Sequence, residues 1–267
     1  MPTTDTQRIV FPESALAHRF LDGLSGLEIG AGAHNPFGLN RRTVGLTEAM
    51  DARDFQFFKE LQVSFCGDWA RIDIAADAHS IPVADSSQDF VLHSHVWSYL
   101  ANPLGALEEW TRIVRDGGFI FAIVPKRDVV ASDAVRPVTP LSVHVRHYEL
   151  RSTHQSRGAE EGLSGRGHYS VFSPSSLREM VEWFNRTHPD CQLQQVAFQE
   201  TDDKVGNGHA IVLRVRKGAV RATTRHFTLR LAWRALLLSL AEYGDRSSRG
   251  RIRHHIMRAS VRAARRR

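Results

Sequence analysis

Short apolar runs alternate with amphipathic segments in the first half of the chain. The apolar runs are predicted strands and lie at residues 26–30, 43–46, 71–75, 89–94 and 118–124. In residues 13–21, 51–62 and 102–114, apolar side chains recur at helical spacing, and the last segment places Leu104, Leu107 and Trp110 on one face. Strand, crossover helix and strand in this order are typical of a parallel sheet covered on both sides. Only about a dozen residues separate the first two strands, so we expect a short helical turn there at most.

The pattern changes after residue 125. Residues 126–172 are rich in Pro, His, Gly and Arg, and a connection of this length is usually a functional lid or a disordered insert. Order resumes at Ser173, which suits a helix N-cap with Pro174 at the first helical position. Residues 192–200 and 209–216 then predict two strands without an intervening helix. We expect them to form an antiparallel pair at the edge of the sheet.

Composition adds limits to this pattern. A chain of 267 residues with 42% hydrophobic content can bury a full core. The two cysteines, Cys66 and Cys191, are far apart and lack a metal-binding or redox spacing, so no disulfide framework is expected. The first twenty residues contain no long apolar segment, which indicates neither a secretory signal nor a membrane span. A cytoplasmic protein is the default expectation.

Charge divides the chain after Lys217. Residues 218–267 hold 13 of the 35 Lys and Arg residues and two of the 29 acidic residues, so their net charge is +11. Residues 1–217 carry the other 22 basic and 27 acidic residues, a net charge of −5. We therefore predict one domain over residues 1–217, with 126–172 as its substrate lid, and a separate basic helical tail over 218–267.

The basic tail fits three uses. Its segment from 225 to 243 has an amphipathic helical pattern, and dense positive charge follows it. Such a segment can pack on the domain or on a protein partner, lie on an anionic membrane surface, or neutralise phosphates of a nucleic acid.

Polar and glycine residues follow the predicted strands, where an open parallel sheet binds its ligands. They are Gly30 to His34, Leu46 to Glu48, Asp77 with Ala78, and His93 to His95. Acids can accept hydrogen bonds from ribose hydroxyls and an exocyclic amine, and glycines permit close backbone approach. This set predicts a nucleoside pocket. A dinucleotide is disfavoured because Asn35 and Pro36 stand where a third glycine would open a helix.

Three motifs carry a family resemblance. "LEIGAG", "ADAHSIPVADSSQDFVLHSHV" and "EEWTRIVRDGGFIFAIVPKRD" resemble, in order and spacing, the signatures of class I S-adenosylmethionine-dependent methyltransferases, over about residues 26–217. The resemblance implies S-adenosylmethionine as cofactor and an α/β, Rossmann-like, mostly parallel seven-stranded sheet with an antiparallel C-terminal edge hairpin and helices on both faces. The resemblance also implies roles for single residues. Glu28 would be the acid that orders the first loop, and Gly30 and Gly32 would let the protein backbone approach the cofactor. Glu48, or its rival Asp51, would bind the ribose, Asp77 and Ala78 would bind the adenine, and His93 to His95 would lie where cofactor and acceptor meet.

The chain departs from the family at two places. His34 stands at the third glycine, and Ser98 and Tyr99 replace the Glu-His pair of many relatives, so no metal site is expected. If the acceptor is a sugar hydroxyl, a histidine near neutral pKa suits the role of general base. His168 and His147 in the predicted lid are preferred over His95 and His144.

These features predict an enzyme that methylates a small-molecule or glycan acceptor, at a hydroxyl oxygen. "NPFGLN" and "DDKVGNG" are similar to features of a bacterial subgroup associated with carbohydrate and cell-envelope clusters, which suggests work at the inner face of the membrane. Two alternatives remain open. One is a nucleic-acid methyltransferase recruited by the basic tail, and the other is a non-catalytic cofactor-fold module that binds partners through it.

Overall fold

The computed structural model describes residues 8–161 and 167–218, and the predicted basic tail lies outside them. The strands are β1 (Gly26–Ile29), β2 (Arg41–Gly45), β3 (Ile74–Ala75), β4 (Gln88–Ser94), β5 (Val114–Pro125), β6 (Cys191–Gln199) and β7 (Gly208–Lys217). The helices are α1 (Ala15–Leu21), α2 (Ala52–Cys66), α3 (Pro103–Ile113), α4 (Ala131–Ala134), α5 (Leu141–Glu149), α6 (His154–Glu161) and α7 (Pro174–Thr187). The domain boundary predicted after Lys217 coincides with the end of β7 and stays a prediction.

The seven strands form one sheet in the order β3-β2-β1-β4-β5-β7-β6. The first five are parallel, and β7 pairs antiparallel with both β5 and β6. The strand order changes direction at β1, because β2 and β3 lie on one side of it and β4 and β5 on the other. Since ligands of open parallel sheets bind at such a switch point, this topology places a site beyond the carboxyl ends of β1 and β4. The predicted fold class is confirmed.

Helices cover both faces of the sheet because its central strands are apolar on both sides. On one face, Leu27 and Val91 pack with Trp110 of α3 and Phe184 of α7. On the other face, Phe90 and Phe121 pack with side chains of α1 and with Phe37. These two clusters hold the central strands rigid, so the strand ends can position a site.

The connection from β1 to β2 contains no helix among its described residues 30–40. Its anchor is Phe37, which is fully buried and meets the ring of Phe121 edge to face at 5.9 Å between centroids. The segment is therefore an irregular loop that anchors the Phe37 side chain in the core. We call residues 30–37 the cofactor loop, after the role that the family resemblance implies for Gly30 and Gly32.

The segment predicted as a lid is more regular than its composition suggests. Residues 126–161 contain α4, α5 and α6, and α5 packs Leu141, Val145 and Tyr148 against the core. These three side chains follow helical spacing, but His144, Arg146 and His147 lie between them and hide the pattern. The structure thus shows three helices in this segment, and its role as a substrate lid stays a prediction.

Helix α7 begins as predicted. The Ser173 hydroxyl accepts a hydrogen bond from the Ser176 backbone N–H, and Ser176 returns a bond to the Ser173 backbone, which forms a capping box. Leu177, Met180 and Phe184 point into the core. No helix in the described part of the chain is long and apolar enough to cross a membrane.

Candidate active site

A cavity of about 320 Å³ opens beyond the carboxyl ends of β1, β2 and β4, as the topology requires. Its walls are the cofactor loop, the ends of these strands, helix α2 and the first residue of α6. Aromatic side chains form much of the lining, among them Phe55, Phe58 and Trp69. An apolar cleft with few polar groups is typical of a small-molecule site.

Backbone forms the wall of the cavity at the cofactor loop. Gly30 has φ +64°, and a Cβ atom there would lie 2.6 Å from Cγ2 of Val96. At Gly32 a Cβ atom would lie 2.9 Å from Cε1 of His34. The two predicted glycines thus line the cavity, and a side chain at Gly30 would both strain the backbone and collide.

Helix α2 holds the cofactor loop from outside. Oε1 of Gln62 accepts hydrogen bonds from the backbone N–H groups of Ala33 and Ala70, both at 2.8 Å. His34 stacks on Phe65 of the same helix with 4.8 Å between centroids, and burial and the charge of Lys204 lower its pKa. His34, at the position of the absent third glycine, is therefore a neutral wall residue of the cavity.

Glu28 lies in β1 just before the loop but does not line the cavity. It is 2% exposed, and its Oε2 accepts a hydrogen bond from Nε of Arg41 at 2.5 Å. Burial raises the pKa of Glu28, while the charges of Arg41 and Lys204 act against that rise. The role of Glu28 in ordering the loop stays a prediction, and Glu28 would act on the loop without lining the cavity.

Asp77 and Ala78 line the far end of the cavity. Oδ1 of Asp77 accepts the backbone N–H of His79 at 2.8 Å and lies 2.5 Å from Nδ1 of the same residue. Although burial opposes ionisation, the hydrogen bonds and charge of His79 lower the pKa of Asp77 to about 2. An ionised hydrogen-bond acceptor therefore stands at the site predicted for an adenine edge.

The ribose acid predicted after β2 does not lie on the cavity. Glu48 is exposed, and its rival Asp51 caps α2 by accepting the Asp54 backbone N–H at 3.0 Å. Asp54, one turn into the helix, does line the cavity. Sequence reasoning missed Asp54 because it looked at the strand end, whereas the helix after the cap supplies the acid.

The two histidines at the end of β4, His93 and His95, have opposite placements. His93 is fully buried against Trp97 and Trp110, with 5.6 and 4.8 Å between ring centroids. Neither of its ring nitrogens has a hydrogen-bond partner within the described residues, and burial with the nearby charge of His95 lowers its pKa to about 3. His93 is thus a neutral core residue and not a cavity residue, because strand alternation turns it toward α3. The structure does not bring it to the predicted cofactor site.

His95 leaves the strand with φ +59° and lines the cavity. Burial and the neighbouring His168 lower its pKa, while the charge of Asp202 and the amide of Asn207 act to raise it. The predicted catalytic candidate is therefore in place at the sheet edge.

His168 forms a buried pair with a carboxylate. Its Nδ1 lies 2.5 Å from Oδ2 of Asp133, which is 1% exposed and also contacts Arg136 at 3.2 Å. The His168 ring meets the ring of Tyr99 edge to face at 4.4 Å, and Tyr99 lines the cavity. The structure thus brings His168 beside the cavity, in a fixed orientation.

His147 and His144 are placed elsewhere. Nδ1 of His147 lies 2.9 Å from the Ser152 hydroxyl and Nε2 lies 3.2 Å from Oε1 of Glu161, so both nitrogens are engaged inside the segment. His144 stacks on Phe172, and burial lowers its pKa to about 3. Neither side chain lines the cavity, so the structure does not bring the predicted base His147 to it.

His154, which sequence reasoning missed, lines the cavity at the start of α6. Burial lowers its pKa, and the charge of Asp77 acts in the opposite direction. Only the folding of the lid segment over the sheet brings His154 to Asp77, 77 residues earlier in the chain. Among the side chains that the structure describes, no group of three or more His, Cys, Asp or Glu residues could hold a metal ion.

Known proteins resemble this chain in sequence and in fold. Residues 27–122 match the model of a methyltransferase domain family. Similar solved structures include S-adenosylmethionine-dependent methyltransferases of Aquifex aeolicus (16% identity, 75% of this chain and 86% of that chain, TM-score 0.41), Thermotoga maritima (17%, 76% and 92%, 0.40) and Methanosarcina mazei (13%, 75% and 96%, 0.42). A search of curated proteins gave no match.

The family match shows a methyltransferase domain over residues 27–122, and the order of the sheet and the glycine loop at its switch point are consistent with a class I S-adenosylmethionine-dependent methyltransferase. The chain carries such a methyltransferase domain, and S-adenosylmethionine is its cofactor.

The cavity suits this cofactor. Gly30 and Gly32 let backbone approach the ligand at one end, and the ionised Asp77 can accept hydrogen bonds at the other. The aromatic walls between them suit the flat, apolar faces of a nucleoside. When bound, the cofactor supplies an electrophilic methyl group on a sulfonium.

Proposed function

We propose that this enzyme methylates a hydroxyl oxygen of a small-molecule or glycan acceptor, with His168 as general base. The observation that carries the proposal is the buried His168–Asp133 pair beside Tyr99 at the cavity wall. A hydroxyl is a weak nucleophile until a base takes its proton, and a histidine held by a carboxylate is suited to that task.

The lining of the cavity supports this cofactor placement. Asp77 and Ala78 would hold the adenine end, Asp54 would meet the ribose hydroxyls, and the cofactor loop would face the methionine end. The methyl group then points toward the edge of the sheet where β4 ends at His95. Catalysis comes largely from holding the acceptor in line with that methyl group.

The orientation of His168 determines its role. Asp133 engages Nδ1, so Nε2 is the nitrogen that would accept the proton of the acceptor hydroxyl. Asp133 would stabilise the imidazolium that forms. The ring of Tyr99, which lines the cavity, packs edge to face on the His168 ring and so links this pair to the cavity.

Replacing His168 tests the base. With labelled S-adenosylmethionine and a panel of monosaccharide, glycan and RNA acceptors, we expect His168→Gln to lower turnover on the accepted class by about a hundredfold or more. Its affinity for S-adenosylhomocysteine, measured by calorimetry, should stay within about twofold of wild type, because His168 does not line the cofactor cavity. His18→Gln, on the exposed side of α1, is the matched control. Undiminished turnover by His168→Gln would remove the histidine from the mechanism.

A nucleic-acid acceptor is the second candidate, and one observation favours it. The +11 net charge of residues 218–267 could hold a polyanion near a domain that itself carries −5. RNA methylation that falls steeply with salt, without glycan methylation, would support this candidate over the first.

A further inference from the structure

The turn between β6 and β7, residues 202–207, is built around a buried carboxylate. Oδ1 of Asp202 accepts backbone N–H groups from Lys204, Val205 and Gly206 at 3.0, 2.7 and 3.1 Å, and its Oδ2 accepts that of Gly208 at 2.6 Å. Although burial opposes ionisation, these four donors lower the pKa of Asp202. The turn is therefore a rigid unit, which we call the β6–β7 turn.

The same turn caps the first helix. Oδ1 of Asp203 accepts the Ser14 hydroxyl and its Oδ2 accepts the Leu16 backbone N–H, both at 2.7 Å. An acid at the start of α1 satisfies donors that would otherwise lack partners. The turn and α1 are thus fixed to each other although 187 residues separate Leu16 and Asp203.

Lys204 extends from this turn beneath the cofactor loop. It is 4% exposed, which is unusual for lysine, and its Nζ donates to the carbonyl oxygens of Pro12, at 2.7 Å, and Pro36. Nζ also lies 4.5 Å from the centroid of the Phe37 ring. Pro36 and Phe37 are the last residues of the cofactor loop, so one side chain connects the loop, the β6–β7 turn and the segment before α1.

Acids on three elements surround the ammonium group. Burial lowers the pKa of Lys204 to about 8, while the charges of Glu28, Glu13, Asp202 and Asp203 act to raise it. The charge of Lys204 in turn lowers the pKa of His34 on the cofactor loop. Lys204 therefore remains a cation at neutral pH, where charge-assisted hydrogen bonds to the two carbonyls are strongest.

We propose that Lys204 is a positioning residue for the cofactor, which fixes the cofactor loop from beneath in a chain that has no helix between β1 and β2. Such a helix would normally follow the glycine turn and hold it against the ligand. Here the loop is irregular, and Lys204 supplies a fixed point at its far end. The proposal rests on the cofactor placement given above, with the methionine end at this loop.

Two ligands that differ at the methionine end test this inference. S-Adenosylhomocysteine contains the amino-acid moiety, whereas 5′-methylthioadenosine has only a methyl group there. We expect Lys204→Met to raise the Kd for S-adenosylhomocysteine by about tenfold or more, and to change the Kd for methylthioadenosine by less than about twofold. Isothermal titration calorimetry on the full chain measures both constants.

Lys217→Met is the matched control. Lys217 is also a partly buried lysine that donates to a backbone carbonyl, that of Arg112 at 2.8 Å, but it lies at the opposite end of β7. Its removal should leave both affinities unchanged. If Lys204→Met is too unstable to measure, Lys204→Gln keeps a donor for one carbonyl, and a smaller loss confined to S-adenosylhomocysteine is expected.

The outcomes separate this inference from the enzyme assignment. An equal loss of affinity for both ligands, or no loss for either, would show that Lys204 does not position the methionine end. The assignment of the cofactor would stand in both cases. Failure of wild-type protein to bind S-adenosylhomocysteine would instead count against the cofactor placement on which the inference depends.

Discussion

Gly30 shows how much of the site depends on one missing side chain. Its φ of +64° is a conformation that alanine adopts only with strain, and a Cβ atom would collide with Val96. We therefore expect Gly30→Ala to displace the cofactor loop and to raise the Kd for S-adenosylhomocysteine by about a hundredfold. Titration calorimetry measures this change directly.

Gly23 provides the comparison for Gly30. It has φ +75° and lies in the turn after α1, but a Cβ atom there would meet no other atom within 4 Å. Gly23→Ala should lower the free energy of unfolding by about 1 kcal/mol without changing cofactor affinity. Similar affinities for the two variants would show that backbone approach at Gly30 does not limit binding.

Single residues of the site were predictable where the backbone alone places them. Gly30, Gly32, Asp77 and His95 follow strands, and all of them line the cavity because parallel strands bring their carboxyl ends to one edge. Asp54 and His154 come from helices that fold over this edge. Their contribution depends on tertiary packing, for which a single sequence contains no local signal.

At the scale of elements, β1 and β2 pair a buried carboxyl with a guanidinium group. Burial raises the pKa of Glu28 of β1, and the charge and hydrogen bond of Arg41 of β2 act against that rise. Because the pKa of Glu28 is raised above the ordinary 4.5, the folded protein holds this proton to higher pH than the unfolded chain does. The free energy of unfolding therefore falls as pH rises from 4.5 through the raised pKa.

We expect Glu28→Gln to remove this decrease in the free energy of unfolding with pH. In urea titrations from pH 5 to pH 8, we expect the stability of the variant relative to wild type to improve as pH rises. Arg41→Gln should do the reverse, since it removes the charge that opposes the rise in pKa and so steepens the loss. Parallel stability profiles for wild type and Glu28→Gln would contradict the assignment.

Most helices and strands could be predicted from the pattern of apolar and polar residues. The central strands β1, β4 and β5 contain short apolar runs bounded by turn residues, and α3 and α7 each have one apolar face, so local pattern and fold agree there. Helix α5 was missed because His144 and His147 are buried polar residues within its apolar stripe. Burial of histidines against Phe172 and Ser152 is a tertiary outcome that hydropathy does not encode.

At the scale of the whole molecule, charge is unevenly divided along the chain. The described domain is built to bind a small cofactor and needs no basic surface for that, as its −5 net charge over residues 1–217 reflects. Residues 218–267 carry +11, whereas the described residues that line the cavity lie between Ile29 and His154. Recruitment to a polyanion and methyl transfer should therefore be separable.

Deleting residues 220–267 tests this separation. We expect the truncated protein to keep its affinity for S-adenosylhomocysteine within about twofold, because β7 ends at Lys217 and every described strand precedes the deletion. The full chain should bind anionic lipid vesicles or RNA with an affinity that falls steeply between about 50 and 200 mM salt, and the truncated chain should lose that binding. Vesicle sedimentation and RNA mobility shift at matched salt distinguish the two polyanions. If truncation instead abolishes cofactor binding, the tail is part of the catalytic domain and the division at Lys217 is wrong.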